Sequence, residues 1–599
     1  MPFGARLLPQ GEAEFRLWAP SAQRVELVLN GQLQPLAAAA DGWFVGTAAA
    51  AAGDRYAFRI DANLVVPDPA SRHNPDDVHG ASRLIDPEAF DWPDAGWRGR
   101  PWHEAVIYEL HVGCFTEAGS FTAAIERLDD LVALGITAIE LMPVADFPGQ
   151  RGWGYDGVLL FAPDASYGTP DELKRLVAAA HARGLMVLLD VVYNHFGPDG
   201  NYLHVYAQTF FDRTVHTPWG AAINFGGEGS RTVREFFIHN ALYWIEEFHF
   251  DGLRVDAVHA MQDDSALHFI DELAQAVRNG PGRARHVHLV LENDVNDAAR
   301  LARTADGRPL LADAQWNDDV HHALHVLVSG ERDGYYIDYA ADPLRLLGRA
   351  LAEGFAYQGD PSAYREGEPR GTPSTALPPL AFVNSMQTHD QVGNRAFGER
   401  IAALADAAGR HERLRALVAC VLLSPAPPML FMGEEFAASS PFLYFCDFSG
   451  DLAQAVTQGR RAEFSRFALF ADPARRATIP DPNALSSFQR SKLDWAERDA
   501  PGHAEWCALY RHLLALRRDR LMPLLPWAGS GYCELPLPDV LDVHWPLGAA
   551  GTWHLRLNLS SAPAMGLAPL PGETIYASAH ADGGAMRVPN GMRVTLERR

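Results

Sequence analysis

From residue 1 to about 92 the apolar positions come in short runs, FRLWAP, RVELVLN, GWFVGT and RYAFRI, broken by Gly, Pro, Asn and Asp. Runs of that length with such breakers predict a small β-sandwich. The Pro/Trp/Gly-rich stretch FDWPDAGWRGRPW then marks a boundary near residue 95. From about residue 103 the rhythm changes to apolar strands alternating with amphipathic helices. AVIYELHV leads into a segment where Phe121, Ile125, Leu128 and Val132 follow helical spacing, with Ser120 as N-cap and Gly135 as terminator. AIELMPV follows. Thr169-Pro170-Asp171-Glu172 then forms a capping box, opening a helix through Leu173, Leu176, Val177 and Ala180 to Gly184. LMVLLDVVY is continuously apolar, as a parallel strand buried on both faces should be.

DGLRVDAV, HLVLEND, DAQW, LAFVNSMQ and PPMLFMG continue the alternation, making eight strands in all. The pattern predicts an α/β fold with a central (β/α)₈ TIM barrel over residues 96–520, an N-terminal β-sandwich over 1–95 and a C-terminal β domain over 521–599. A doubly wound open sheet is the alternative. The segment at about 194–230 is too irregular for a barrel helix and reads as an excursion over the active face. The helix containing WCALYRHLLALRRD closes the barrel region.

Composition narrows the function. Of 599 residues, 51 are Lys or Arg and 75 Asp or Glu, a net charge of −24. That argues against nucleic acid, which needs a basic surface, and suits a neutral substrate. The start has no apolar signal core, and no run is long and apolar enough to predict a membrane span. Five scattered cysteines form no CxxC pair. These features predict a reduced, cytoplasmic setting.

In a barrel of this kind the chemistry sits where the strands end. Polar residues close four apolar strands: Asp190 to His195 on the third, Arg254, Asp256 and His259 on the fourth, Glu292 on the fifth, His389 and Asp390 on the seventh. Arg254 and Asp256, two apart, share one side of their strand, so the arginine can hold the carboxylate ionised. A retaining glycosidase needs two carboxyl groups about 5 Å apart. Adjacent strands can deliver Asp256 as nucleophile and Glu292 as acid/base, with Asp390 gripping the sugar as positive charge develops.

The segments DVVYNH, GLRVDAVH, the acid of LENDVND and SMQTHDQVGN resemble, in order, the four short motifs of the α-amylase superfamily. The resemblance implies the same roles for Asp256, Glu292 and Asp390, with His195, Arg254 and His389 as ligands of the cleaved glucose. Tyr155, in GWGYDG, matches the residue that stacks under that glucose, and Asp190 and Asn194 match support positions. Asn293 departs from the small Ser expected after the acid, which bears on subsite geometry. Longer stretches, among them ELMPVADFPGQRGWGYDGV and DAQWNDDVHHALHVLVSGERDGYY, are similar to the maltooligosyltrehalose trehalohydrolases. That similarity implies cleavage of the α-1,4 bond beside a terminal trehalose, on a substrate supplied by a maltooligosyltrehalose synthase as pathway partner.

Selecting trehalose as leaving group requires fixed hydrogen-bond partners on the acceptor side. Asn317, Asp318, His321, His259, Gln391 and Asn394 are the candidates, and Trp153, Trp219 and Trp316 offer stacking surfaces. His321 and His325, four apart, have zinc-ligand spacing, but three acids suffice for hydrolysis, so no metal or cofactor is expected. Nor is there a contiguous acidic calcium loop near Asn194. The competing readings are a glycogen-branching or debranching enzyme on the same scaffold, and a non-catalytic glucan-binding protein.

Overall fold

The structure, a computed structural model, describes residues 1–561, 564, 566–578 and 590–598. Eight parallel strands close into a barrel: β1 (Ile107–Leu110), β2 (Ala138–Leu141), β3 (Met186–Val191), β4 (Gly252–Val255), β5 (His288–Leu291), β6 (Ala314–Trp316), β7 (Phe382–Ser385) and β8 (Pro428–Phe431). Ile107 pairs with Met429, which closes the ring. The strands are those predicted from the apolar runs, and the closed ring excludes the open sheet.

Two antiparallel sheets precede the barrel, one around Glu12–Trp18 and Trp43–Ala49, the other around Val25–Leu29 and Arg55–Ile60. Phe15 and Phe58 are fully buried, as alternating strands with one apolar face require. A five-stranded antiparallel sheet from Tyr532–Leu537 to Gly591–Glu597 follows the barrel. Part of the expected C-terminal β domain, at 562, 563, 565, 579–589 and 599, lies outside the described residues.

Local signals are read well where the chain caps itself. Helix α1 (Pro170–Ala182) carries the predicted capping box: Glu172 N donates to Thr169 Oγ1 at 3.3 Å, and Thr169 N donates to the Glu172 carboxylate at 2.7 Å. The single helix expected from Ser120 to Gly135 is instead two, Phe121–Ile125 and Leu128–Leu134. Leu131 and Leu134 are buried, whereas Val132 is exposed. Between Asn194 and helix α2 (Ser230–Glu247) the chain forms a hairpin, Phe211–Thr217 with Gly220–Ile223. Among the described residues no helix is long and apolar enough to cross a membrane.

Candidate active site

Parallel register sets the centre of the site. Val255 pairs with Leu291, so Asp256 and Glu292, one step further along adjacent strands, stand abreast. Arg254 lies beneath them, fully buried. Its Nη1 donates to Asp256 Oδ1 and Asp190 Oδ2, both at 2.7 Å, and its Nη2 is 2.9 Å from Glu292 Oε2. The guanidinium rests on the Trp316 ring at 4.1 Å. That ring is buried under the arginine, so Trp316 is a support and not the sugar-stacking surface considered from sequence.

The backbone contributes as well. After Asp256 the chain turns at Ala257 with φ +40°, a conformation L side chains avoid. The turn aims Ala257 N at Glu292 Oε2, 2.8 Å away. Burial and then the charge of Glu292 push the Asp256 carboxyl well up, against Arg254. Burial opposes ionisation of Glu292 too, but Arg254, Ala257 N and His259 hold its carboxyl below the usual range. The two carboxyl groups share a hydrogen bond and behave as one titrating pair.

The opposite wall is built from β7. The short helix His389–Gly393 is capped by Thr388 and Gln391, whose Oε1 accepts from Thr388 N at 2.8 Å. His389 Nδ1 donates to Glu109 Oε1 at 2.5 Å, and Nε2 lies 2.8 Å from Tyr155 OH and 3.5 Å from Asp390 Oδ1. Burial disfavours its charge, yet Asp390 and Glu109 outweigh burial and raise it to about 9. Tyr155 OH also donates to Asp190 Oδ2 at 2.6 Å, and its ring stacks on His389. His195 bonds Tyr155 O at 3.0 Å, and burial lowers its pKa to about 4. Trp219, at the hairpin tip, stacks on His195 with ring centres 4.8 Å apart and remains half exposed.

The structure therefore gathers Asp256, Glu292, Asp390, Asp190, Arg254, Tyr155, His195 and His389 into one cluster, with Asn194 beside His195 at 3.1 Å. Around it, Asn394 donates to Asp390 at 3.1 Å, His259 accepts from Asp294 N at 3.3 Å, and Gln391 Nε2 lies 3.5 Å from Asp318 Oδ1. Burial, then Glu292 and Asp294, push the Asp318 carboxyl well up. Two acceptor-side candidates fall elsewhere. The Asn317 amide donates to Gly354 O at 2.7 Å, tying down helix α3 (Asp318–Ser329), and His321 is buried against Met386 O at 2.6 Å. Among the described residues no group of three His, Cys, Asp or Glu is arranged to hold a metal, and His325 instead pairs with Glu331 at 2.7 Å.

Glu109 and Ala257 were missed from sequence. Glu109 carried a signal: it is a lone acid within an otherwise apolar strand, and a buried acid needs a partner. Gly393 is also required. A Cβ there would come within 2.0 Å of the Trp153 ring, whose Nε1 is held by Leu443 O at 2.9 Å.

Comparison with known proteins places this geometry. The model of the α-amylase catalytic domain matches residues 85–214, and that of a domain of unknown function matches 528–594. The chain is 42% identical to the malto-oligosyltrehalose trehalohydrolase of Mycobacterium tuberculosis, over 94% of this chain and 95% of that one. It is 40% identical to the enzyme of the same name from Saccharolobus solfataricus, over 87% of each. The 1,4-alpha-glucan branching enzyme of Burkholderia thailandensis is 30% identical over 70% of this chain and 52% of its own length. Among solved structures, a "putative alpha amylase" from Salmonella typhimurium superposes with TM-score 0.94 at 45% identity, covering 100% of this chain and 99% of that one. A pullulanase of Paenibacillus barengoltzii shares the fold at TM-score 0.71 and 19% identity, covering 100% and 95%.

Proposed function

Because the chain belongs to the malto-oligosyltrehalose trehalohydrolases of the α-amylase family, we propose that its pocket hydrolyses the α-1,4-glucosidic bond beside the terminal trehalose of maltooligosyltrehalose, with retention. The observation that carries the mechanism is the Asp256–Arg254–Glu292 arrangement: two carboxyl groups abreast on neighbouring strands, bridged by one guanidinium. Cleavage needs the proton of the pair on Glu292 and the charge on Asp256. The arriving glycosidic oxygen gives a protonated Glu292 an acceptor, and the electron-poor anomeric carbon faces an ionised Asp256.

Glu292 then protonates the glycosidic oxygen as the bond to the anomeric carbon breaks, and Asp256 adds to that carbon from the other face. Trehalose leaves as a neutral alcohol, and the glucan remains as a glycosyl ester on Asp256. Glu292, now ionised, takes a proton from water as its oxygen attacks the same carbon. The ester bond breaks, which returns Asp256 to its carboxylate and Glu292 to its acid. Asp390 and the charged His389 grip the glucose hydroxyls, Tyr155 and His195 fix its plane, and Arg254 and Asp190 keep Asp256 in place. His259, Asp318, Gln391 and Asn394 rim the leaving-group side. Asn317 and His321 act through the walls they hold, not by touching sugar.

A substrate with trehalose at one end must come from an enzyme that isomerises the reducing end of a maltooligosaccharide, so a synthase of that kind is the pathway partner. All five cysteines are free, which suits a reducing cytoplasm.

Incubation with maltotriosyltrehalose and, separately, with maltopentaose tests the reading. Rapid release of trehalose and maltotriose from the first, with slow attack on the second, is expected. Equal or faster cleavage of maltopentaose would leave a general α-glucan hydrolase and remove the trehalose specificity. A shift in iodine staining of amylose without new reducing ends would point to branching.

A further inference from the structure

Behind the loop that carries Trp153 and Tyr155 lies a cleft of about 510 Å³, lined among others by Asp77, Asp146, Asp164, Tyr167, Phe488 and Lys492. A wall separates it from the catalytic pocket: Tyr167 OH and His111 Nε2 both bond Gly152 O, at 3.3 and 2.8 Å. The polar lining is dominated by acceptors. Asp164 is satisfied by Ser166 N at 2.8 Å and Phe147 N at 3.2 Å, and Asp77 accepts from Gly149 N at 3.1 Å. Asp146 is different. It is 1% exposed, and its Oδ2 has no hydrogen-bond partner among the described residues. Asn74, fully buried behind the cleft, bonds Asp146 with its side chain. An acceptor such as Asp146 Oδ2 is costly to bury unmatched, so the cleft is short of donors.

These features define what fits. The ligand must donate several hydrogen bonds and must not be anionic, since carboxylates outnumber the single lysine. It must also offer apolar surface to Tyr167 and Phe488, which flank Gly113 so closely that a Cβ there would come within 3.1 and 3.2 Å of their rings. A metal ion matches poorly: among the described residues no three suitable side chains converge to hold one. The volume lies in the range of small-molecule clefts, about 300 to 1,000 Å³.

We propose that this cleft is a second sugar site, distinct from the catalytic pocket, which takes a neutral mono- or disaccharide whose hydroxyls donate to Asp146. An occupant there would brace the loop that presents Trp153 and Tyr155. The inference rests on the chemistry of the cleft and not on the catalytic reading.

Calorimetric titration of the full chain with trehalose and with maltose tests it, using Ala118→Trp, which fills the mouth from an exposed position, and Asp146→Asn. Two sites are expected for at least one of these sugars. One should weaken at least ~10-fold in both variants, while turnover of maltotriosyltrehalose by Ala118→Trp stays within about twofold, as distant sites behave independently. A single site, or two sites that neither variant alters, would overturn the proposal. So would calcium raising the melting temperature of the wild type but not of Asp146→Asn with no cleft-dependent sugar binding, which would assign the cleft to a cation. A chain inert toward maltotriosyltrehalose that still shows the cleft-dependent site would remove the catalytic reading and leave this one standing.

Discussion

Arg254 shows how much one buried residue has to reconcile. Its guanidinium is shared by Asp190, Asp256 and Glu292, and its flat face lies on Trp316. An ammonium cannot fork in this way, so Arg254→Lys is expected to lower kcat/KM by at least about 100-fold, checked by steady-state kinetics. Glu292→Gln keeps the shape but not the proton and should lower kcat about 10²- to 10⁴-fold; near-normal turnover would remove Glu292 from its role. Glu109 is buried behind His389 and bonds its Nδ1, the place of a positioning residue. The sign of its effect follows from the raised pKa of that imidazole. The charged form is complete below about 6.5 and is lost as pH rises through about 9. Removing one of the two carboxylates that hold it should let His389 deprotonate earlier. In Glu109→Gln the alkaline limb of the kcat/KM profile is therefore expected at lower pH, with the acid limb of the Asp256–Glu292 pair in place. A parallel loss at every pH would mean that Glu109 is merely structural.

At the level of elements, what matters is how a strand ends. The turn after β4 puts Ala257 at positive φ so that its N–H can reach Glu292. Glycine adopts that conformation without the Cβ clash, so Ala257→Gly should gain about 1 kcal/mol in urea unfolding while keeping the N–H and most of the activity. A loss of stability would show that the alanine methyl contributes more by packing than the turn costs. Nothing in GLRVDAVH announced this turn, because alanine is an ordinary residue whose conformation is imposed by the strands on either side. The split of the 121–134 segment has a similar cause. The spacing of Phe121, Ile125 and Leu128 is helical, but the turn at Glu126 and Arg127 re-phases the second piece so that Leu131 and Leu134 face inward. Capping is legible by contrast, since Thr169 and Glu172 satisfy each other without help from the rest of the fold.

At the scale of the molecule, the segment before the barrel is strapped to its underside. Both ring nitrogens of His181 face carboxylates, Nδ1 to Asp94 at 2.8 Å and Nε2 to Asp251 at 3.0 Å. Trp97 donates to Asp251 at 2.7 Å and stacks on the same imidazole. Two acceptors require two N–H groups, so His181 is charged in the folded protein. Burial opposes this, but Asp251 and Asp94 raise its pKa above the usual 6.5. Its contribution is thus complete below 6.5 and fades as pH rises through the folded value. His181→Asn should cost about 3–5 kcal/mol at pH 6, with the gap in melting temperature to the wild type narrowing at alkaline pH. A gap independent of pH would mean that His181 serves only as packing.

What the sequence determined by itself was whatever depends on neighbours a few positions away: apolar runs of strand length, their alternation with helices, the caps, and the short acid-bearing motifs that close the strands. Those were enough for the barrel and the family, and for the proposal that Asp256, Glu292 and Asp390 are its catalytic acids. Only the tertiary structure decided which distant groups meet. Glu109 under His389, Trp316 under Arg254, the withdrawal of Asn317 and His321 into the walls, and the acceptor-lined cleft at Asp146 all join residues far apart in the chain. The physical reason is that burial and pairing are properties of the assembled interior: a carboxyl or imidazole acquires its partner, its charge and its role only when closing the barrel removes water and fixes which side chains remain to replace it.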